Sequence, residues 1–339
     1  MILITGATGL LGRVIVLELL KMGKNVRACK RPDSDLSDIQ QTYHFYTSSA
    51  DFYFDQIEWF DIDFNSRQSL YEALQGVSEV YHCAAKVSFD PNDRGEVLET
   101  GIVSTRNLLS ACRYMRVKKF LFVSSAAVLH VNKQDLEFQI KKDYSIKKYY
   151  PAYLVSKYIC EKLVHNANKG DLKTVIINPG MIIGSGNWKK KQQQIPNFFL
   201  HSKFTFSGGT SCVDVRDVAN TAVHLMENNI FGERFCIFSE NMLYKDIATQ
   251  IRKVTGQKKP IVCSRAFLRL LKPLRVFLEM LDSKAHFMTD ENIEFISCTQ
   301  YDESNEVRNV IPHDFYSVSD SIKFHYRNYL LYTHSMNAE

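Results

Sequence analysis

Three glycines spaced three residues apart, Gly6, Gly9 and Gly12, separate an apolar run at 1–4 from a helix-patterned run at 14–20. Glycines at a strand-to-helix turn let two backbone segments approach closely and leave N–H groups directed at an anion. The pyrophosphate of a dinucleotide is the usual anion there, although a tight turn without a ligand uses the same glycines. The spacing therefore predicts a dinucleotide-binding turn at the start of a βαβ unit.

Apolar strand-like runs alternate with helix-period segments over more than half of the chain, a pattern typical of a parallel sheet covered on both faces. The predicted strands are 1–5, 25–29, 57–60, 79–83, 119–123, 173–177 and 234–238. Residues 96–115 have a clear helical period, and residues 32–56 suggest helical decoration at the sheet edge. We expect an α/β fold with a doubly wound parallel sheet, the Rossmann architecture.

The strict alternation ends near residue 184, which suggests a second unit. At 339 residues and 45% hydrophobic content, the chain can bury a full core and a smaller lobe besides. We expect residues 1–184 and 212–239 to form an NAD(P)-binding domain. Residues 185–211 and 240–339 are predicted to form a substrate-binding lobe made of loops and helices.

Composition excludes several functional classes. A net charge of +5 with dispersed basic residues gives no general case for nucleic-acid binding. The eight cysteines form no Cys-x-x-Cys pair and the ten histidines show no ligand-like pairing, so we expect no metal and a reducing, cytoplasmic location. No apolar run reaches the length of a membrane span and no leader pattern precedes the first strand, so we expect neither stable membrane insertion nor a targeting segment.

The end of the second predicted strand bears on the choice of nucleotide. Lys30 stands where an acidic residue would bond the ribose hydroxyls of NAD, and Arg31 follows it, with Arg27 nearby. These cations favour the additional phosphate of NADP, while NAD stays possible because they can also be ordinary exposed strand-end charges. Asp61 and Ile62 close the third strand, where the carboxylate can reach the adenine amino group or simply cap a turn.

A serine, a tyrosine and a lysine are the candidate catalytic residues. Tyr-x-x-x-Lys occurs four times in this chain, so the spacing alone is weak. Tyr153 and Lys157 stand out because they follow Pro151 at the start of a helical pattern, and a spacing of four puts both side chains on one face. Ser125 follows the apolar strand that ends near Val123. The alternative is a surface Tyr-Lys pair beside an ordinary buried serine.

Each member of this trio has a distinct predicted role. A phenol with a pKa near 10 is a poor acid or base at neutral pH, and the ammonium of Lys157 favours its ionised form. Ser125 is predicted to hydrogen-bond the substrate oxygen, and Tyr153 to give or take its proton. A nicotinamide cofactor carries the hydride.

The order of these motifs along the whole chain resembles an extended short-chain dehydrogenase/reductase of the NAD-dependent epimerase/dehydratase family. Residues 5–12 are similar to its TGxxGxxG turn and 81–85 to its xHxAA strand, and 178–184 resemble its loop beside the nicotinamide. The branch it resembles most includes the dihydroflavonol reductases and hydroxysteroid-dehydrogenase-like enzymes. The resemblance implies cofactor contacts from Thr5, Gly6, Thr8, Gly9, Leu10, Gly12, Ala84, Ala85, Lys157, Pro179, Gly180 and Ile182.

Three departures from the family pattern bear on function. Gly101 replaces the usual Asn of the Asn-Val-x-Gly-Thr helix, and Asn178 replaces the Arg that many members have before Pro179. Residues 208–213 lack the Arg with which nucleotide-sugar members hold a diphosphate. The sequence thus favours an NADP(H)-dependent oxidoreductase that reduces a ketone or aldehyde of a small, rather apolar substrate, or oxidises the alcohol.

Two other functions stay open, namely a nucleotide-sugar epimerase or dehydratase with bound NAD, and a non-catalytic NADP-sensing protein. The resemblance also suggests a homodimer formed through helices 95–115 and 152–168. Residues 267–278 fit a lipophilic lid, a packed core segment or a basic amphipathic helix at a membrane surface.

Overall fold

The computed structural model describes residues 1–140, 150–186, 188, 195–274, 288–303 and 306–336. The strands in chain order are β1 (Ile2–Thr5), β2 (Val26–Lys30), β3 (Glu58–Asp61), β4 (Glu79–His82), β5 (Lys119–Val123), β6 (Lys173–Pro179), β7 (Met181–Ile183), β8 (Phe204–Phe206), β9 (Gly209–Asp214), β10 (Arg234–Ile237), β11 (Glu240–Leu243), β12 (Ile261–Cys263) and β13 (Thr299–Gln300).

The helices surround these strands. They are α1 (Leu10–Lys21), α2 (Ser37–Tyr43), α3 (Ala50–Phe54), α4 (Arg67–Ala73), α5 (Arg94–Tyr114), α6 (Lys133–Ile140), α7 (Ala152–Ala167), α8 (Ile195–His201), α9 (Val215–Glu227), α10 (Tyr244–Val254), α11 (Arg265–Leu271), α12 (Asp290–Ser297) and α13 (Val318–Met336). Short 3₁₀ turns cover Pro91–Asp93, Ala126–His130, Lys272–Leu274 and Glu306–Asn309.

A seven-stranded parallel sheet forms the centre of the molecule, in the order β10-β6-β5-β4-β1-β2-β3. All seven predicted strands are confirmed, with ends shifted by one or two residues. The strand order reverses between β1 and β4. In doubly wound sheets the carboxyl ends of the strands at such a reversal open the crevice that binds ligands.

Side chains of β1 show how the sheet is covered on both faces. Ile4 points into a core formed with α1, α9 and the 32–56 region, whereas Leu3 points into the core formed with α4, α5 and α7. This confirms the doubly wound α/β fold. The predicted helical decoration in 32–56 is also confirmed, since α2 and α3 lie there and Tyr43 is fully buried.

Beyond the main sheet, β9 pairs with β7, β11 and β13, and β8 pairs with β12. The prediction of loops and helices for 185–211 is wrong in part, since β8 and the start of β9 lie there, whereas most of the described chain after 240 consists of loops and helices as predicted. Strands β8, β12 and β13 have only two or three residues, too few for an alternating pattern to stand out from the surrounding sequence. A third core, with Phe199, Tyr244 and Ile322, packs under α8, α10 and α13, and the proposed domain boundaries stay a prediction.

Helices α5 and α7 pack against each other at Gly101. A Cβ atom on Gly101 would lie 2.1 Å from the Ser156 hydroxyl oxygen, so a side chain at this position requires that hydroxyl to move aside. Ser156 thus occupies space next to the position where the family carries Asn. The outward side of the two helices is charged, with Glu96, Arg106 and Lys162 exposed, and the homodimer stays a prediction.

Among the helices of the described residues, none is long and apolar enough to cross a membrane.

Candidate active site

The glycine turn after β1 is built by close backbone contacts. Gly6 has a φ of +67°, and a Cβ there would lie 2.6 Å from the Ala84 backbone nitrogen. A Cβ on Gly12 would lie 2.2 Å from the Gly6 carbonyl oxygen. Helix α1 begins at Leu10, and its N-cap residue Gly9 supplies no side-chain cap. Backbone N–H groups at the helix start are therefore oriented for an anion, and the turn fits a dinucleotide pyrophosphate.

Arg13, only 1% exposed, hydrogen-bonds the backbone of this turn. Its guanidinium donates to the backbone carbonyls of Thr8 at 2.8 Å and Gly9 at 3.2 Å. The same group forms an ion pair with Asp38 at 2.7 Å. Because Arg13 binds carbonyls of the turn, it fixes the peptide orientations on which the N–H groups depend.

A buried hydrogen-bonded chain connects β1, β4 and α5. The Thr5 hydroxyl lies 2.7 Å from His82 Nδ1, and His82 Nε2 lies 3.1 Å from the Thr105 hydroxyl, which donates to the Gly101 carbonyl at 2.8 Å. Burial, with a smaller contribution from the Lys157 charge, lowers the pKa of His82 to about 3. His82 is therefore neutral and structural, with one ring nitrogen for each hydroxyl.

The strand-end charges separate into two groups. Lys30 and Asp61 lie opposite each other on β2 and β3 and form an ion pair at 2.5 Å, and Arg31 beside them is exposed. Arg27 instead pairs with Glu58 and donates to carbonyls at the end of α4. Lys30 and Arg31 thus stay the cations available at the predicted phosphate position, while Arg27 is committed elsewhere.

Ser125 and Tyr153 lie together at the carboxyl end of β5. Ser125 has an extended backbone and caps the following 3₁₀ turn through the Ala127 N–H. Burial raises the pKa of Tyr153, and a hydrogen bond with the Ser125 side chain opposes that rise. The structure thus brings these two side chains together, and their catalytic roles stay a prediction.

Lys157 lies one turn along α7 from Tyr153, nearly fully buried. Its ammonium donates to the Val123 carbonyl at 2.6 Å and lies 4.8 Å from the centre of the Phe122 ring. Burial lowers the pKa of Lys157, and the nearby Cys160, Cys83 and Glu161 oppose this. The proposed lowering of the Tyr153 pKa by Lys157 stays a prediction, because in this structure burial and Ser125 set that pKa.

A buried carboxylate organises the base of the site. Glu161 accepts hydrogen bonds from Ser124 at 2.5 Å and from the Asn178 amide at 2.6 Å, and its second oxygen pairs with Arg234 at 3.2 Å. The Asn178 amide also donates to the Ser125 carbonyl at 2.9 Å. Asn178, which replaces the family's Arg, therefore connects α7 to the strand end that carries Ser125.

The other predicted cofactor residues lie at the edges of this cleft. Gly180 packs against β9, since a Cβ there would lie 2.5 Å from the Ser211 carbonyl oxygen. Ala84 lies against Gly6, and Ala85 is exposed. Thr8 and Leu10 lie at the start of α1, Ile62 directly follows β3, and Pro179 and Ile182 lie in β6 and β7 on either side of Gly180. Their contacts with a nucleotide stay predictions.

Two aromatic side chains cover Tyr153. The Phe89 ring lies 5.8 Å from the Tyr153 ring and 5.2 Å from the Phe295 ring. Asn292 on α12 donates to the Phe89 carbonyl at 2.7 Å, which holds the 84–90 loop against that helix. The side of Tyr153 that faces these rings is therefore apolar.

Sequence reasoning missed Arg13, Glu161, Phe89 and Phe295. A charge within an apolar helical run is a detectable signal, and both Arg13 and Glu161 provide it. Phe89 and Phe295 meet only through tertiary contact, and no local pattern indicates this.

Comparison with known proteins agrees with the family resemblance seen in the sequence. The model of the NAD dependent epimerase/dehydratase family matches residues 2–237. The chain is 28% identical over 266 residues to sterol demethylase protein B of Methylococcus capsulatus, covering 76% of this chain and 75% of that protein. It is 27% identical over 266 residues to a putative dihydroflavonol 4-reductase of Synechocystis, covering 76% and 73%.

Solved structures share the fold at lower identity. A UDP-glucose 4-epimerase of Thermotoga maritima, solved with UDP-glucose, superposes with a TM-score of 0.71 at 15% identity over 98% of this chain and 99% of that one. Similarity at this identity concerns the architecture alone.

Proposed function

Since the chain belongs to the NAD-dependent epimerase/dehydratase family, we propose that it is an NADP(H)-dependent oxidoreductase that interconverts a carbonyl and an alcohol on a small, rather apolar substrate. The observation that carries this proposal is the Ser125–Tyr153 hydroxyl pair, with buried Lys157 one helical turn away. The apolar cover of Phe89 and Phe295 supports an apolar substrate. Relatives named as reductases support the assignment as an oxidoreductase.

The catalytic groups divide the proton chemistry between them. Tyr153 Oη gives its proton to the substrate oxygen during reduction and takes it back during oxidation. The Ser125 hydroxyl donates to the same oxygen and stabilises the charge that develops on it. Lys157 supplies a fixed positive charge that favours the ionised phenol. A bound nicotinamide nucleotide supplies or accepts the hydride.

The glycine turn would hold the pyrophosphate through the backbone at Gly9, Leu10 and Leu11, and Lys30 and Arg31 would hold the extra phosphate of NADP. The pairing with Asp61 keeps the Lys30 ammonium at the strand end, where the Lys30 side chain is 17% exposed and Arg31 is exposed beside it. We expect NADPH to bind more tightly than NADH and Lys30→Ala to reduce that preference about tenfold. Equal affinities in wild-type titrations would remove the role of these cations.

The nucleotide-sugar alternative lacks support at the diphosphate position. Residues 208–213 carry no cation, and Arg216 beyond them is bound bidentately to Asp214. The Arg216 guanidinium also lies 3.8 Å from the centre of the Tyr316 ring. It is therefore already engaged within the protein.

A substrate panel separates the two reactions. Purified protein is mixed with NADPH and ketones or aldehydes on apolar carriers, and loss of NADPH absorbance is recorded. We expect turnover that depends on the carbonyl compound. Epimerisation of nucleotide sugars, measured in parallel without net NADPH consumption, would favour the alternative and contradict this proposal.

A further inference from the structure

One segment of this chain carries a local excess of positive charge. Although the net charge of the whole protein is only +5, residues 252–272 contain seven cations and no carboxylate. The cations are Arg252, Lys253, Lys258, Lys259, Arg265, Arg269 and Lys272. The segment covers the end of α10, strand β12 and helix α11. We call β8, β12 and α11 the outer unit.

The outer unit exposes large apolar side chains. Ile261 on β12 is 60% exposed and lies beside Phe204 of β8, which is also exposed. On α11, Phe267 and Leu270 are exposed three residues apart, and Leu270 reaches 73%. The opposite side of α11 is buried, since Leu268 packs against Cys263 and Ile293. The unit therefore has a packed inner side and exposes several large apolar side chains.

Its cations differ in their surroundings. Arg265 and Arg269 share Glu294, and Lys272 pairs with Asp290, so α12 neutralises part of the charge. Four exposed lysines, Lys203, Lys253, Lys258 and Lys259, have no ion-pair partner among the residues that the structure describes. Three of them precede β12 in sequence, and Lys203 directly precedes β8.

Exposed apolar side chains, with unpaired lysines close to β8 and β12 in sequence, match the chemistry of a membrane surface. Apolar groups enter the boundary between headgroups and acyl chains, while lysines meet anionic headgroups. We propose that the outer unit docks on the surface of a bilayer that contains anionic lipids. The binding is peripheral: a few side chains enter the interface and the lysines give it its dependence on charge. This inference does not depend on the proposed catalytic function.

Vesicle flotation tests the proposal on the full chain. Vesicles of phosphatidylcholine alone are compared with vesicles that also contain phosphatidylglycerol, at low and high sodium chloride. We expect binding only to the anionic vesicles and mainly at low salt. Leu270→Glu and, separately, Ile261→Glu should each reduce partitioning at least tenfold. Each lysine near an anionic surface strengthens partitioning about fivefold, so Lys258→Glu with Lys259→Glu should lower it roughly 25-fold or more.

Matched controls lie elsewhere on the surface. Phe52→Glu replaces another exposed aromatic residue, and Lys169→Glu with Lys173→Glu reverses two other exposed lysines. Both controls should bind as wild type, and circular dichroism verifies that every variant is folded. Absence of wild-type binding, or equal loss in the controls, would overturn the proposal. Light scattering without vesicles tests whether this face instead binds a second copy of the chain. If the wild type is a dimer and Leu270→Glu converts it to a monomer, the face is a dimer interface and the membrane proposal is contradicted.

Discussion

The predicted nucleotide-binding turn and the predicted catalytic residues are held in position by different kinds of contact. On the nucleotide side the working groups are backbone N–H groups, and buried side chains such as Arg13 and Thr5 hold the backbone in place. On the proposed catalytic side the predicted working groups are side chains, and a buried carboxylate, Glu161, connects the strand and helix that carry them. Damage to the first side should therefore affect nucleotide binding and stability, whereas damage to the second should affect turnover.

The largest expected effect tests the catalytic side. Tyr153→Phe removes the proton donor while keeping the ring that packs on Phe89, so turnover should fall roughly 10²- to 10⁴-fold with nucleotide affinity nearly unchanged. Steady-state kinetics and NADPH titration measure the two quantities. Tyr158→Phe is the matched control, because Tyr158 on the same helix hydrogen-bonds Glu137. Equal turnover of both variants would remove Tyr153 from the chemistry.

The same contrast explains what the sequence could predict. The glycine turn and the seven strands were predictable because each depends on residues close together in the sequence. The turn shows as a regular glycine spacing and each strand as an apolar run. Tyr153 was separable from three other Tyr-x-x-x-Lys pairs because Pro151 marks the start of its helix. Thus local patterns located both sides of the cleft.

Features made by distant residues were not predictable. Glu161, Ser124 and Asn178 are separated by 17 to 54 positions in the chain, and only the fold joins them. The pairing of Lys30 with Asp61 depends on the register of β2 and β3. The short strands β8 and β12 have three residues each, too few to show a period, so the sequence did not indicate them.

The nucleotide side is tested next by Arg13→Met. The change leaves Asp38 without its buried partner, so the free energy of unfolding should fall by about 3 kcal/mol. Because the Thr8 and Gly9 carbonyls also lose their donor, the Kd for NADPH should rise about tenfold while kcat at saturating NADPH stays within about twofold. Urea unfolding, titration and kinetics provide the three values. A large loss of kcat at unchanged Kd would reverse the division between the two sides.

His82 joins the two sides and makes stability depend on pH. Its folded pKa of about 3 lies below the unfolded value of 6.5, so protonation of His82 favours the unfolded state. The contribution of His82 to the free energy of unfolding is therefore fully present above pH 6.5 and is lost as the pH falls towards 3. Between pH 6.5 and 5 this loss amounts to about 2 kcal/mol. Urea unfolding at both pH values should show a loss smaller by that amount in His82→Gln. His44→Gln, at an exposed histidine, should lose as much as wild type, and identical losses in all three proteins would contradict the assignment.

The smallest expected effect concerns the packing of α5 on α7, which supports the catalytic side from behind. Gly101→Ala gains helix propensity worth up to about 1 kcal/mol, but it forces a Cβ against the Ser156 hydroxyl. The cost of overpacking should exceed the gain in helix propensity, so the free energy of unfolding should fall by about 1–2 kcal/mol net.

Ser156→Ala provides the rescue, because the Ser156 Cβ lies 3.5 Å from the new methyl position and the hydroxyl alone causes the clash. The double variant should be at least as stable as Ser156→Ala alone. Gly95→Ala is the control on the same helix, since nothing lies within 4 Å of its added Cβ, and it should keep or gain stability. If Gly101→Ala behaves like Gly95→Ala, the two helices can separate freely at this point, and a side chain at position 101 is then compatible with the fold.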